Sequence, residues 1–102
     1  MYKIIKKQIR PNTSVPFYTL ADLEFKAWLG QNYIMNGKMM PPEVTLSEDG
    51  LEQSTVIFFQ SEDAAREWKY DAYVVEKLQA PMEAYCAANN IEILPTITVG
   101  EV

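Results

Sequence analysis

Trp68 is the side chain on which the choice between a packed core and a binding pocket depends. Ala64 and Ala65 lie one turn earlier on the same predicted helical stripe. They would let that helix approach a sheet closely, with the indole filling the space beyond. A buried indole N–H needs a hydrogen-bond partner, and Gln79 and Asn32 are two candidates. The stripe favours a packed core, but a polar pocket wall would use the same residues, so both interpretations stay open.

Several kinds of catalytic chemistry are excluded by residue types that the chain lacks. It contains no histidine, so it has neither a Ser-His-Asp nor a Cys-His pair, nor the usual near-neutral acid and base. The single cysteine, Cys86, cannot form a thiolate zinc site or an intrachain disulfide, and its place on an apolar stripe predicts an inert buried thiol. The four glycines form no phosphate-binding cluster. We therefore expect no metal and no cofactor, and we favour a protein that is not an enzyme.

Charge is distributed unevenly along the chain. The formal net charge of -5 argues against general binding to nucleic-acid phosphates. Yet the first ten residues carry no acid and four bases, namely Lys3, Lys6, Lys7 and Arg10. Two interpretations remain open for this segment. It is either a solvated strand that balances acidic neighbours, or a strand with a site for an anion or an acidic partner.

Length and hydropathy indicate a single domain over residues 1–102. The chain is 48% hydrophobic, which is typical of globular proteins. It has no apolar run near the roughly 20 residues of a membrane helix, and no segment that resembles a signal peptide. We expect a soluble cytoplasmic protein without a membrane partner.

The first half of the chain predicts a strand, a helix and a hairpin. Tyr2–Arg10 is a short isoleucine-rich strand. Thr19 is the expected N-cap of a helix over Leu20–Met35. The sequence Asp49-Gly50 is a strong turn signal before a second hairpin arm, Leu51–Gln60.

The second half predicts a helix and a final strand. Ser61 is the expected N-cap of the second helix. Pro81 should kink this helix or begin a new one after Gln79. The last strand is expected over Ile91–Val99, and Pro95 places it at a sheet edge.

This order of elements predicts an α+β fold of the ferredoxin-like type, βαββαβ, in which a four-stranded antiparallel sheet carries two helices on one face. In Leu51–Gln60 the apolar residues occupy both odd and even positions, so both faces of this strand are apolar. This suggests that the sheet face without helices is also covered. A second copy is the simplest cover, so we expect a homodimer through the sheet face. The sequence leaves open whether the odd-numbered or the even-numbered residues of this strand face the helices. Replacing Ile57 or Phe59 with lysine should either dissociate the dimer or unfold the chain.

A resemblance adds to this interpretation. The stretch DGLEQSTVIFFQSEDAAREW, Asp49–Trp68, resembles the dimeric α+β barrel superfamily of antibiotic-biosynthesis-monooxygenase-like domains. The resemblance implies a two-fold dimer with facing sheets and a pocket between helices and sheet. Haem-degrading members need a histidine ligand, which this chain lacks. Cofactor-independent oxygenases of the group position a substrate with tryptophan, asparagine and tyrosine. The residues of those types that the resemblance offers as ligand-binding candidates are Trp28, Asn32, Tyr33 and Trp68.

Two functional hypotheses follow. The first is a non-enzymatic, homodimeric interaction or structural module, with an unidentified protein or small molecule as a further partner. The alternative is a cofactor-independent monooxygenase-like or small-ligand-binding protein with a pocket between helices and sheet. A sealed core around Trp68 favours the first hypothesis. A roomy pocket lined by Trp28, Trp68 and an unpaired amide favours the second.

Overall fold

The computed structural model describes all 102 residues and contains one antiparallel sheet of five strands with helices packed on it. The strands are β1 (Tyr2–Ile9), β2 (Glu43–Leu46), β3 (Glu52–Phe59), β4 (Glu92–Ile93) and β5 (Ile97–Glu101). The helices are α1 (Leu23–Leu29), α2 (Glu62–Tyr70), α3 (Ala72–Val74) and α4 (Ala80–Ala88). The predicted α+β class with an antiparallel sheet is confirmed. No helix has both the length and the apolar character that crossing a membrane requires.

The sheet is built around β1, which is its most extensively paired strand. One edge of β1 pairs with β3 along its whole length, from Tyr2↔Phe59 to Ile9↔Glu52. The outer edge of β3 pairs with β2. The other edge of β1 pairs with β4 near its end and with β5 near its beginning, so these two short strands follow one another along the same edge. All pairs are antiparallel.

The predicted continuous last strand over Ile91–Val99 is wrong, because the chain forms β4 and β5 with a gap around Pro95. Proline has no backbone N–H to donate to a neighbouring strand, so the ladder stops there and resumes two residues later. The prediction that Pro95 belongs at a sheet edge is confirmed by the position of both strands beside β1.

The first helix begins later than predicted. Asp22, and not Thr19, is its N-cap, since the Asp22 carboxylate accepts a 3.0 Å hydrogen bond from the Phe25 N–H. Asp is among the strongest N-cap residues, because its side chain satisfies an amide that has no partner inside the helix. Helix α1 continues into a π-helical turn, Gly30–Ile34, and the chain then turns at Gly37, where φ is 78°.

The second helical region breaks at Asp71, and a new helix, α4, begins directly after Gln79, which is one of the two outcomes predicted for Pro81. Ser61 is the N-cap of α2 as predicted, accepting from the Ala64 N–H at 3.1 Å. At Asp71 ψ is 116°, which ends α2, and the Asp71 carboxylate then caps α3. A π-helical turn, Val75–Gln79, joins α3 to α4 without a gap. This wider turn directly before Pro81 gives room to its ring, and the helix accepts the proline near the beginning of α4.

The helices cover one face of the sheet and leave the other open. The covered face carries the buried side chains Ile4, Ile57 and Phe59, which join Trp68 and Tyr33 in one core cluster. Only 11 of the 102 residues are buried, as expected of a flat molecule of 37 × 31 × 18 Å with a single core layer.

The open face carries a row of apolar side chains across three strands. Ile5 and Val56 are register partners in the middle of it, Ile97 extends the row on β5, and Phe58 lies beside it. Ile5, Val56 and Phe58 are half-buried, and Ile97 is 45% exposed. The parity of β3 is therefore settled: Ile57 and Phe59 point to the helices, and Val56 and Phe58 point away from them.

Candidate functional site

Trp68 is packed into the core and is only 6% exposed. Its ring meets the Tyr33 ring edge-on at 5.1 Å between centroids, and Phe59 lies 6.4 Å away. Edge-on contacts of this kind stabilise aromatic pairs beyond the effect of burial. Ala64 on the preceding turn is also buried, so α2 lies close to the sheet as the alanines predicted.

An aromatic cluster brings Trp28 and Tyr33 to the same region. The Trp28 ring lies 4.7 Å from Tyr73 and 5.8 Å from Tyr33. The Tyr33 hydroxyl donates a 2.9 Å hydrogen bond to the Asp71 carboxylate. Burial, and then this hydrogen bond, raise the pKa of Tyr33, which keeps the phenol protonated. Because Asp71 also caps α3, one carboxylate fixes both the cluster and the bend between α2 and α3.

Asn32 lies outside this cluster. It is exposed, and its side-chain amide donates a 2.9 Å hydrogen bond to the Trp28 carbonyl. Of the four predicted ligand-binding residues, the structure therefore brings Trp28, Tyr33 and Trp68 together and leaves Asn32 at the surface. Only Trp68 borders a cavity. A ligand-binding role for the other three stays a prediction without a cavity beside them.

A cavity of about 670 Å³ lies between the covered sheet face and the helical region from α2 to the second π-helical turn. We call it the helix–sheet cavity. Its volume falls within the roughly 300–1,000 Å³ that is typical of small-molecule sites. Seven of its 14 lining residues are hydrophobic, and these are Tyr2, Ile4, Ala65, Trp68, Tyr70, Val74 and Val75. The sequence-based alternative of a pocket between helices and sheet thus has a counterpart in the structure.

A second cavity of about 320 Å³ lies beyond the first. Four residues line both cavities: Lys6, Trp68, Gln79 and Thr96. They form the partition between the two spaces. Trp68 therefore packs in the core and also lines both cavities, which agrees in part with the packed-core interpretation and in part with the pocket interpretation.

Lys6 stands out on this partition because a charged group normally avoids such a place. It projects from the covered side of β1, between Ile4 and Gln8, and is half-buried. Its ammonium forms none of the ion pairs and none of the side-chain hydrogen bonds of the chain. Burial lowers the pKa of Lys6; nearby Glu83 opposes this shift and nearby Lys69 adds to it.

The other bases of the amino-terminal segment have structural partners. Lys7 pairs with Glu52 at 3.0 Å, and the Lys3 ammonium lies over the Phe58 ring on the open face. Arg10 donates to the Gly50 carbonyl at 2.8 Å. The sequence indicated this segment as a whole and did not single out Lys6. Lys6 and the buried Ile4 are two residues apart on β1, so their side chains point to the same face of the sheet, whereas Lys3 and Lys7 point to the other face. This alternation is the feature of the sequence that distinguishes Lys6 from Lys3 and Lys7.

The Trp68 indole N–H is a second donor without a protein partner. Neither of the two partners predicted for it accepts from the indole; the Gln79 and Asn32 side-chain nitrogens donate to Glu83 at 2.8 Å and to the Trp28 carbonyl. No fully buried side-chain nitrogen or oxygen of the chain lacks a hydrogen bond. The indole N–H therefore reaches accessible space, as does the Lys6 ammonium.

Cys86 and the acidic side chains do not form a metal centre. Cys86 is a buried free thiol whose sulfur lies 3.7 Å from the Gln8 side-chain oxygen, and burial raises its pKa. This agrees with the predicted inert thiol. No group of three or more histidine, cysteine, aspartate or glutamate side chains is close enough to hold a metal ion.

No family model matches the chain, and comparisons with curated proteins and with solved structures give no significant match.

Proposed function

We propose that this protein binds a small, largely apolar molecule in the helix–sheet cavity and that it works as a homodimer. The observation that carries the proposal is the cavity of about 670 Å³, whose wall is half hydrophobic and holds donors without protein partners. Ligand sites are characteristically apolar clefts with a few polar groups that orient the ligand. Binding without catalysis fits best, because the chain lacks histidine and the one acid that lines the cavity, Glu62, is paired with Arg66.

The fold we propose for this function is the ferredoxin-like arrangement. The strand order β2-β3-β1-β4, with β5 continuing along the β4 edge of β1, supports it. In this view β4 and β5 are one edge strand that Pro95 divides. The same arrangement is the one that the resemblance to dimeric α+β barrels implies, with helices on one face and a partner sheet on the other.

A second copy is the occupant we propose for the open sheet face. Its apolar row, Ile5, Val56 and Ile97, lies in the middle of the face, and the face carries both signs of charge beside it. Lys3 forms no ion pair within the chain, and Glu43 on β2 forms none either. A two-fold copy can therefore match acids to bases around an apolar centre. Sedimentation that gives twice the chain mass at micromolar concentration would support this, and a monomer would contradict it.

Filling the cavity tests the binding function directly. We expect Ala65→Phe to weaken binding of the apolar fluorescent probe N-phenyl-1-naphthylamine by about tenfold or more, because the added ring occupies volume that the probe needs, and tenfold corresponds to about 1.4 kcal/mol. Ala65 lies on α2 and lines the helix–sheet cavity. The measurement is a titration of probe emission, which rises when the probe leaves water.

The matched control is Ala84→Phe. Ala84 is exposed on α4 and borders neither cavity. This variant adds the same ring to the surface and should bind the probe as the wild type does. Equal affinity of the wild type and Ala65→Phe, or no binding by the wild type, would show that the cavity is not a ligand site.

A further inference from the structure

The partition between the two cavities presents hydrogen-bond donors that no acceptor of the chain satisfies. Lys6 and Trp68 both lie on it, and neither the Lys6 ammonium nor the Trp68 indole N–H has a protein partner. Ammonium and indole N–H are donors only, so neither can satisfy the other. A group that enters here and complements both must therefore bring acceptor atoms.

Two carboxylates near this place are engaged with other partners. Glu62 pairs with Arg66 at 3.0 Å, and Glu83 accepts a 2.8 Å hydrogen bond from the Gln79 amide. Glu83 nevertheless favours the charged form of Lys6, while Lys69 opposes it. Lys6 thus lies in a partly dry site without a direct counter-ion, where a charged ammonium is a costly arrangement. A ligand anion would offset that cost.

We propose that Lys6 and the Trp68 indole N–H anchor the carboxylate of a small organic acid whose apolar body fills the helix–sheet cavity. The body would contact Tyr2, Val74 and Tyr70, which are apolar or aromatic lining residues. Flat aromatic and short aliphatic acids fit this description. The inference rests on the proposed function and adds the chemical class of the ligand to it.

A pair of probes that differ only in charge tests the anchor. 2-Naphthoate and 2-naphthamide have the same ring and almost the same shape, and only the first is an anion. We expect the wild type to bind 2-naphthoate roughly tenfold to a hundredfold more tightly in calorimetric titrations, as for hydrogen bonds to charged groups. Lys6→Met, which keeps the length and apolar character of the side chain, should lose this preference and bind both probes alike.

Two control variants test whether the charge at position 6 itself causes the preference for 2-naphthoate. Lys6→Arg retains the cation and should retain the preference. Lys3→Met removes the same charge from the same strand on the open face and should leave the preference unchanged. A melting curve for each variant checks that it is folded.

The outcomes separate this inference from the proposed function. Equal binding of both probes by the wild type, or an undiminished preference in folded Lys6→Met, overturns the anchor and leaves cavity binding standing. Binding of neither probe by the wild type overturns the anchor together with the proposed function.

Discussion

Trp68→Ala is expected to lower the free energy of unfolding by roughly 3–5 kcal/mol, the usual cost of truncating a buried aromatic side chain. The indole is 6% exposed and makes edge-on contact with Tyr33 in the main core cluster. A domain of this size has a total stability of only about 5–15 kcal/mol. The variant should therefore melt at a much lower temperature or fail to fold, as thermal melts followed by circular dichroism would show.

Tyr70→Ala is the matched control for this truncation. Tyr70 lies on the same helix, two residues later, and is 73% exposed. Its loss should change the stability by about 0.5 kcal/mol or less, as for most surface substitutions. If Trp68→Ala and Tyr70→Ala melted at similar temperatures, the indole would be a pocket wall and not a core residue.

Neighbouring phenylalanines of β3 should give opposite results when replaced by lysine. Phe59 is fully buried under the helices, so Phe59→Lys places an unpaired charge in the core and should abolish folding. Phe58 lies on the open face beside Lys3, so Phe58→Lys should remain folded and dissociate the proposed dimer. Circular dichroism reports folding, and sedimentation reports whether the mass falls from two chains to one.

Leu46→Lys provides the control for added charge. Leu46 lies on β2 with its side chain on the helix side of the sheet, is 55% exposed and borders neither cavity. It should stay folded and dimeric. A folded, dimeric Phe58→Lys would place the contact between copies elsewhere, and a folded Phe59→Lys would contradict the assignment of the faces of β3.

Helix caps and turns were predicted correctly from the sequence where one residue type determines the local backbone conformation. Ser61 before an acidic turn, and the Asp49-Gly50 turn with φ of 73° at Gly50, lie where they were predicted. Where a helix boundary was predicted at the wrong residue, a nearby carboxylate competes as the cap. Asp22 displaces Thr19 as N-cap, and Asp71 breaks a helix that its apolar stripe predicts to be continuous at that point. A carboxylate that caps amides on its C-terminal side can end one helix and begin the next, and periodicity does not reveal this.

The candidate site was less accessible to sequence reasoning than the fold. Trp68 was identified because a tryptophan on a helical stripe is conspicuous. Lys6 was not singled out, since a cluster of bases usually marks a solvated strand and only the packing shows which of them points inward. Which parity of β3 meets the helices depended in the same way on the register with β1, which pairs Ile4 with Ile57.

The Trp68 indole N–H resonance offers the most direct test of the proposal that the helix–sheet cavity binds small molecules. In a proton–nitrogen correlation spectrum the two indoles give two signals, and Trp28→Phe identifies that of Trp68. On titration with 2-naphthoate, the Trp68 indole signal and the backbone amides of Val74 and Thr98, which line the cavity, should shift together. A spectrum in which these signals stay fixed, while those of Val56 and Phe58 on the open face shift or nothing shifts at all, would contradict the proposal.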